Sequence, residues 1–427
     1  LLPGRPRSFT HPFGMHEGRW VGRIRPSRRR GGWASLSEIH PVKTLRLGII
    51  GMGNIGRHHA SYLLDRAVGR CELVAVCSTS PGKLESYAGR GVRVWGDGLE
   101  LIRSGTVDAV LIATPHYDHT RLGIAALEAG LHVMVEKPIS AHKADAERLL
   151  AVAASRPAQV LAGMFQLRVE PRYLRIRRML EAGELGRIVR VNWINTDWFR
   201  TEAYYASGGW RATWKGEGGG VLLNQCLHNL DVLAWLLGSP SKVRGFCGFG
   251  RNHSIEVEDE VTAYLEYPGG ATGVFVASTS EAPGTNRLEI TGTRGRLVLE
   301  DGKLRFVRND GDMHEVLRTA KGGFTKPDVW NVEVPFENAT APHARLMENF
   351  VGAILDGVPL IAPGADGLHS VELANAIVYS ALEGREVTLP LDGAAWEARL
   401  ARLIAESRLE KKVVSGGTED FAASFRR

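Results

Sequence analysis

A short apolar run, Leu45-Arg46-Leu47-Gly48-Ile49-Ile50, stops directly at Gly51-Met52-Gly53-Asn54-Ile55-Gly56, and this junction constrains the fold more than any other stretch of the chain. A strand ending in G-x-G-x-x-G requires a tight turn at the first glycine, a bare backbone at the second and close helix packing at the third. Residues 57 to 68 are expected to form the helix, and a second strand follows at Glu72-Leu73-Val74-Ala75-Val76-Cys77. Gly51, Gly53, Asn54, Ile55 and Gly56 are therefore expected to hold a dinucleotide, with its pyrophosphate at the positive end of the helix.

The rhythm continues beyond that unit. Apolar strands are expected at Ala109 to Ala113, His132 to Val135 and Val160 to Met164, with helical stretches around 120 to 129 and 141 to 154. Strand and helix alternating in this way predict an α/β domain, a mostly parallel sheet covered by helices with its ligand at the carboxyl ends of the strands. After about residue 166 the pattern changes. Helical segments at 171 to 182 and 221 to 237 flank a strand at Ile188 to Ile194. Val257 to Tyr267, Ala271 to Thr279, Arg287 to Thr291 and Gly295 to Glu300 then alternate polar and apolar residues between turn formers. These read as antiparallel strands of an α+β domain, with late helices near 343 to 356 and 366 to 383. The expected divisions are a basic extension at 1–43, a Rossmann domain at 44–166, an α+β domain at 167–390, and a helical segment and tail at 391–427.

Charge narrows the classes of partner. The 427 residues carry 53 Lys+Arg and 47 Asp+Glu, but residues 1–43 hold nine of the basic and two of the acidic ones, leaving 44 against 45. The folded body gives no reason to expect nucleic acid as a partner. Cys71, Cys77, Cys226 and Cys247 are too scattered for a disulfide framework or a metal knuckle, and read as buried thiols in a reducing compartment. No apolar run is long enough to span a membrane, no h-region follows Arg28-Arg29-Arg30, and no compact ligand set suggests a metal. The expected location is cytoplasmic.

Cofactor preference is read at the end of the second strand. A carboxylate there would bind the adenosine ribose of NAD and repel the phosphate of NADP. The chain has Ser78-Thr79-Ser80, with Lys83 beyond and Arg57 after the third glycine, which favours NADP and leaves NAD open. Thr114-Pro115-His116-Tyr117-Asp118-His119 follows the next long strand. Thr114, Pro115 and His119 are expected around the nicotinamide, although His119 equally suits a satisfied core position. Glu136-Lys137-Pro138 closes a further strand, placing Lys137 either against a reacting oxygen or at the surface. Asn224, His228 and Asp231 lie four and three residues apart, so one helix face can carry all three and orient a proton-transferring His228. The alternative is a structural His-Asp pair. Tyr204, Trp210, Arg211 and Trp214 supply aromatic faces and charge suited to a polyol, with Arg200 or Arg211 available for a carboxylate or phosphate.

The strand-GxGxxG-helix, Glu136-Lys137-Pro138 and the run from Gly218 through Asn224-Gln225-Cys226-Leu227-His228 to Asp231 together resemble the glucose-fructose oxidoreductase, inositol dehydrogenase and MocA-like family, over about residues 44 to 390. The resemblance implies an NAD- or NADP-dependent oxidoreductase acting on a sugar or cyclitol. It also implies a large, mostly antiparallel open sheet that makes homodimers or homotetramers. It implies catalytic roles for Lys137 and His228, with Asn224 where the family commonly has aspartate. Asparagine cannot serve as a carboxylate base, but it can hold a neighbour by hydrogen bonds. Two other readings remain: redox-neutral sugar chemistry with a retained cofactor, and a non-enzymatic nucleotide-dependent sensor.

Overall fold

The computed structural model describes residues 43–337, 340–411 and 413, so the basic extension and most of the C-terminal tail fall outside the described residues. Six strands form the first sheet: β1 (Leu45–Ile50), β2 (Cys71–Cys77), β3 (Arg93–Trp95), β4 (Ala109–Ile112), β5 (His132–Val135) and β6 (Leu161–Gly163). Their order is β3-β2-β1-β4-β5-β6 and every pair is parallel. The order reverses between β1 and β4, which opens a crevice at the carboxyl ends of the strands. The connecting helices are α1 (Asn54–Leu64), α2 (Glu85–Ala88), α3 (Gly98–Arg103), α4 (His116–Glu128) and α5 (Lys143–Ala154). The strands are apolar on both faces because helices cover both: Leu47, Ile49, Val110, Leu111, Ile112 and Val133 are wholly buried. Helix α1 begins three residues earlier than periodicity suggests, because the glycine turn itself enters the helix.

The second half follows α6 (Pro171–Glu181). It comprises β7 (Ile188–Asn195), α7 (Glu202–Ala206), α8 (Leu227–Leu237), β8 (Lys242–Phe249), β9 (Glu258–Glu266), β10 (Thr272–Ser278), β11 (Asn286–Gly292), β12 (Gly295–Glu300), β13 (Lys303–Asn309), α9 (Met313–Thr319) and β14 (Val329–Val334). The chain closes with α10 (Pro342–Asp356), α11 (Gly367–Glu383), β15 (Val387–Thr388) and α12 (Gly393–Glu406). A nine-stranded sheet runs β14-β13-β12-β11-β7-β10-β9-β8-β15, antiparallel except where β10 lies parallel to β7. Sequence patterning anticipated β7 and β9 to β12; β8, β13 and β14 lacked a clear alternation and emerge only through pairing. On one face α11 packs against β8, and α8 packs against α11. On the other, register places Ile194, Val276, Thr262 and Phe246 in one row and Asn192, Val274, Tyr264 and Arg244 in the next. Phe246 remains 57% exposed there.

One expected element is corrected. The helix expected over 221 to 237 starts only at Leu227, and residues 221–226 are turns. Glu258 of β9 accepts hydrogen bonds at Oε1 from the amides of Gly220 (2.9 Å) and Leu222 (3.1 Å), and its carbonyl accepts from Val221. Tertiary partners thus take the first backbone donors that a helix would have used. Among the described residues no helix is long and apolar enough to cross a membrane. The four cysteines are free thiols; Cys77 and Cys226 are buried, and burial pushes the Cys71 thiol up to about 12.

Candidate active site

The turn after β1 has the geometry its three glycines require. Gly51 sits at φ +103°, with the carbonyl oxygen of Ala113 2.5 Å from where a Cβ would be. At Gly56 a Cβ would fall 1.9 Å from the Gly51 carbonyl oxygen, so this residue packs the helix against the turn and does not face the cleft. Gly53 differs from both. Its φ of −72° suits any residue, and nothing lies within 4 Å of where its Cβ would stand, so protein packing does not demand glycine there. Helix α1 has no side-chain cap, leaving its first amides available to an anion.

A cleft of about 2390 Å³ runs from this turn to the large sheet. Gly51, Gly53, Asn54, Ile55, Arg57, Ser78, Thr79, Ser80 and Lys83 line one end, and Thr114, Pro115, Glu136 and Lys137 the middle. Thr114 Oγ1 is buried with no hydrogen-bond partner among the described residues. An orphaned buried hydroxyl and a glycine bare for no internal reason are both explained by a ligand of dinucleotide size. The residues present therefore fit the nucleotide that the motif implies.

Two of the expected contacts are corrected. His119 does not line the cleft; it is buried, with ring nitrogens 2.6 Å from the Pro138 carbonyl and 2.8 Å from that of Thr114. Both partners accept, so a neutral ring serves one at a time, bracing the loop that carries Lys137. His116 lines the cleft instead, because it begins α4 and its Nδ1 reaches the Glu217 carbonyl at 3.0 Å. Trp214 also lies outside the lining. It packs against Phe249 while its amide binds Glu256 and its carbonyl accepts from Tyr117. Tyr204, Trp210 and Arg211 do line the cleft, as do Arg172, Arg200, Gln166 and His343.

Lys137, His228 and Asn224 meet in the cleft although they come from the end of β5, from α8 and from the turn before it. Lys137 Nζ donates to the Asn224 backbone carbonyl at 2.7 Å, and the Lys137-Pro138 peptide bond is cis. Burial pushes the Lys137 ammonium below the usual lysine range, opposed by Glu136 and Glu217 and reinforced by Arg211 and Arg200. His228 is pushed down to about 3, by burial first and then by Lys137, so the ring is neutral at working pH. Its Nε2 lies 3.2 Å from Gln166 Nε2, and its buried Nδ1 has no partner among the described residues.

The expected orientation of His228 by its helix neighbours is also corrected. Asp231 faces away and forms two hydrogen bonds with the buried Arg168, at 2.8 and 2.6 Å, and Arg168 also reaches Asp366. The Asn224 amide donates not to His228 but to Glu217 Oε1, at 2.5 Å. Glu217, unremarked in the sequence, is buried and also accepts from the Ala212 amide at 2.5 Å. Burial raises its carboxyl, opposed by Arg211 and these donors. Its place directly before Gly218-Gly219-Gly220 was the only available signal. Glu136 is held differently. Burial pushes it up, but the hydrogen bond from His59 Nε2 at 2.7 Å and the His59 charge bring it to about 2.

A separate group of potential ligands, His142, Asp145 and Glu397, is spanned by Arg148, which hydrogen-bonds both carboxylates. A guanidinium already neutralises the charge a cation would need.

Comparison with known proteins matches both halves of the chain. Residues 45–164 match the model of an oxidoreductase family with an NAD-binding Rossmann fold, and 173–298 match the Gfo/Idh/MocA C-terminal domain. The chain is 28% identical to an inositol 2-dehydrogenase of Rhizobium meliloti, over 81% of this chain and 99% of that protein. It is 26% identical to the scyllo-inositol 2-dehydrogenase (NAD(+)) of Bacillus subtilis, over 81% and 96%. Among solved structures it resembles the WlbA dehydrogenase of Bordetella pertussis in complex with NADH and UDP-GlcNAcA, with a TM-score of 0.69, 27% identity, and coverage of 82% of this chain and all of that one. With both domains matched in order, and with the nucleotide turn opening into the same cleft as Lys137 and His228, the chain belongs to the Gfo/Idh/MocA family of NAD(P)-dependent oxidoreductases.

Proposed function

We propose that the protein is an NADP-preferring dehydrogenase or reductase that moves hydride between nicotinamide and a hydroxyl or keto carbon of a sugar or cyclitol. The observation that carries this reading is the single cleft shared by the glycine turn, Lys137, Asn224 and His228. The inositol 2-dehydrogenases among its relatives support the substrate class. Bound nicotinamide supplies the hydride acceptor or donor. Everything else falls to side chains of this chain.

Lys137, fixed on the Asn224 carbonyl, orients the reacting oxygen and stabilises negative charge on it. His228 accepts the hydroxyl proton in oxidation. Burial and the Lys137 ammonium keep the ring neutral beforehand, so it is free to take that proton while Lys137 keeps its own and its charge. In reduction His228 returns the proton. Asn224 acts through its carbonyl on Lys137, and Tyr204, Trp210 and Arg211 border the substrate.

Preference for NADP rests on Ser78, Thr79, Ser80, Lys83 and Arg57 lining the far end of the cleft. The Asp97 carboxylate lies nearby, but it caps α3 by accepting from the amides of Leu99 and Glu100. Parallel fluorescence titrations with NADPH and NADH test this. Tighter NADPH binding is expected, tighter NADH binding reverses the preference, and binding of neither overturns the oxidoreductase reading. The outer rows of the sheet, with Phe246, Tyr264, Val274 and Ile194, are proposed to join two or four copies, which light scattering would detect.

A further inference from the structure

Many arginines among the described residues pair with carboxylates. Arg46, Arg70, Arg148, Arg168 and Arg287 each bind carboxylates. Arg200 and Arg211, both lining the cleft, form no ion pair among the described residues. Both lie over one aromatic ring instead: the Arg200 guanidinium lies 5.1 Å and that of Arg211 4.6 Å from the centre of Tyr204. Each also rests on a tryptophan, Arg200 at 5.5 Å from Trp198 and Arg211 at 4.7 Å from Trp210.

Their hydrogen bonds leave capacity unused. Arg211 donates from Nε to Ser207 Oγ at 3.1 Å and from one terminal nitrogen to the Tyr204 hydroxyl at 3.0 Å. Gln225 donates to the same hydroxyl at 3.1 Å, which fixes the ring that both guanidiniums contact. Arg200 donates to the Phe199 carbonyl, and its Nε is buried with no partner among the described residues. Glu217, the buried carboxylate that acts on Arg211 from behind, does not line the cleft and is taken up by Asn224 and Ala212. Lys137 feels both arginines, after the carboxylates of Glu136 and Glu217, and neither guanidinium forms an ion pair among the described residues. Planar forks held on aromatic faces, with donors left over, are suited to an oxyanion.

We propose that the natural substrate carries a carboxylate or phosphate, which Arg200 and Arg211 bind beside Tyr204. This rests on the oxidoreductase reading and narrows its substrate class to sugar acids or sugar phosphates. Arg200 and Arg211 are specificity-determining residues, and the reacting carbon lies at Lys137.

The test uses full-length protein saturated with NADPH. Glucuronate, glucose 6-phosphate and glucose are titrated while tryptophan fluorescence is followed, since Trp198 and Trp210 border the site. One anion is expected to bind at least tenfold more tightly than glucose, and which one identifies carboxylate or phosphate. Arg200→Gln and Arg211→Gln should each weaken that anion about tenfold and glucose by a clearly smaller factor. Raised salt should reproduce part of the loss. Arg211→Lys, retaining charge without the planar fork, should fall between wild type and Arg211→Gln. Thermal unfolding midpoints unchanged from wild type show that the variants fold. Glucose binding as tightly as both anions, equal losses for glucose and anion in the variants, or binding of no probe overturns the proposal. Failure of the wild-type protein to bind either NADPH or NADH would instead sink the oxidoreductase reading, and hydride transfer to neutral sugars alone would leave that reading intact while refuting this one.

Discussion

Gly53 and Gly56 lie three residues apart in one turn, yet substitution of each by alanine should fail in a different way. At Gly56 the new Cβ would sit 1.9 Å from the Gly51 carbonyl oxygen, far inside ordinary contact. Its neighbour is backbone rather than a flexible side chain, so α1 must move away from β1, at a cost of about 3 kcal/mol. At Gly53 the methyl meets no protein atom, and φ −72° is open to alanine. Reduced freedom of the unfolded chain favours Gly53→Ala by roughly 0.4–1 kcal/mol, and loss of a tolerated N-cap residue offsets part of it, so net stability should stay within about 0.5 kcal/mol. That methyl projects into the space assigned to pyrophosphate. Nucleotide affinity should fall at least tenfold, about 1.4 kcal/mol. Thermal unfolding without ligand, followed by NADPH titration, separates the two effects. Unchanged nucleotide affinity in Gly53→Ala would refute the placement of the phosphates, and an unchanged melting temperature in Gly56→Ala would refute the packing argument.

Two further tests address groups that spacing did not reveal. Glu217→Gln keeps the size of the side chain while removing the charge that holds Asn224 and acts on Lys137; turnover should fall by roughly tenfold, about 1.4 kcal/mol, at unchanged nucleotide affinity, with the pH profile shifted. Equal turnover would reduce Glu217 to a packing role. Burial raises Glu258 to about 7, against its ordinary value of 4.5, since its Oε2 has no partner among the described residues. Its contribution to stability is therefore complete below pH 4.5 and is lost as pH rises to about 7, because the unfolded chain ionises first. Glu258→Gln keeps an acceptor for Gly220 and Leu222, so its melting temperature should fall less than that of wild type as pH rises from about 5 to about 7. Parallel curves would contradict the assignment.

Local pattern carried a great deal. A fully buried parallel strand is an apolar run bounded by turn formers, and a glycine turn joined to strand and helix has few alternatives, so β1, β2, β4, β5 and the nucleotide end of the cleft were legible from short windows. The same was true of Lys137 and His228, each placed beside a recognisable boundary. Partnership was not legible. Asn224, His228 and Asp231 look like one helical face, but Glu258, from a strand distant in the chain, takes the backbone donors that would start the helix, and Arg168 draws Asp231 to the other side. His119 and His116 are equivalent in composition; only the helix phase of α4 sends one under Pro138 and the other into the cleft.

The sequence by itself thus determined the Rossmann half and the glycine turn that opens its cleft, because hydrophobic period and glycine sterics act over a few neighbours. Tertiary structure alone decided that β7 pairs in parallel with β10, that Glu217 stands behind Asn224, and that Arg200 and Arg211 face the cleft without ion-pair partners among the described residues. Hydrogen bonds and ion pairs depend on separations of a few ångströms between residues far apart in the chain, and no local periodicity encodes that distance.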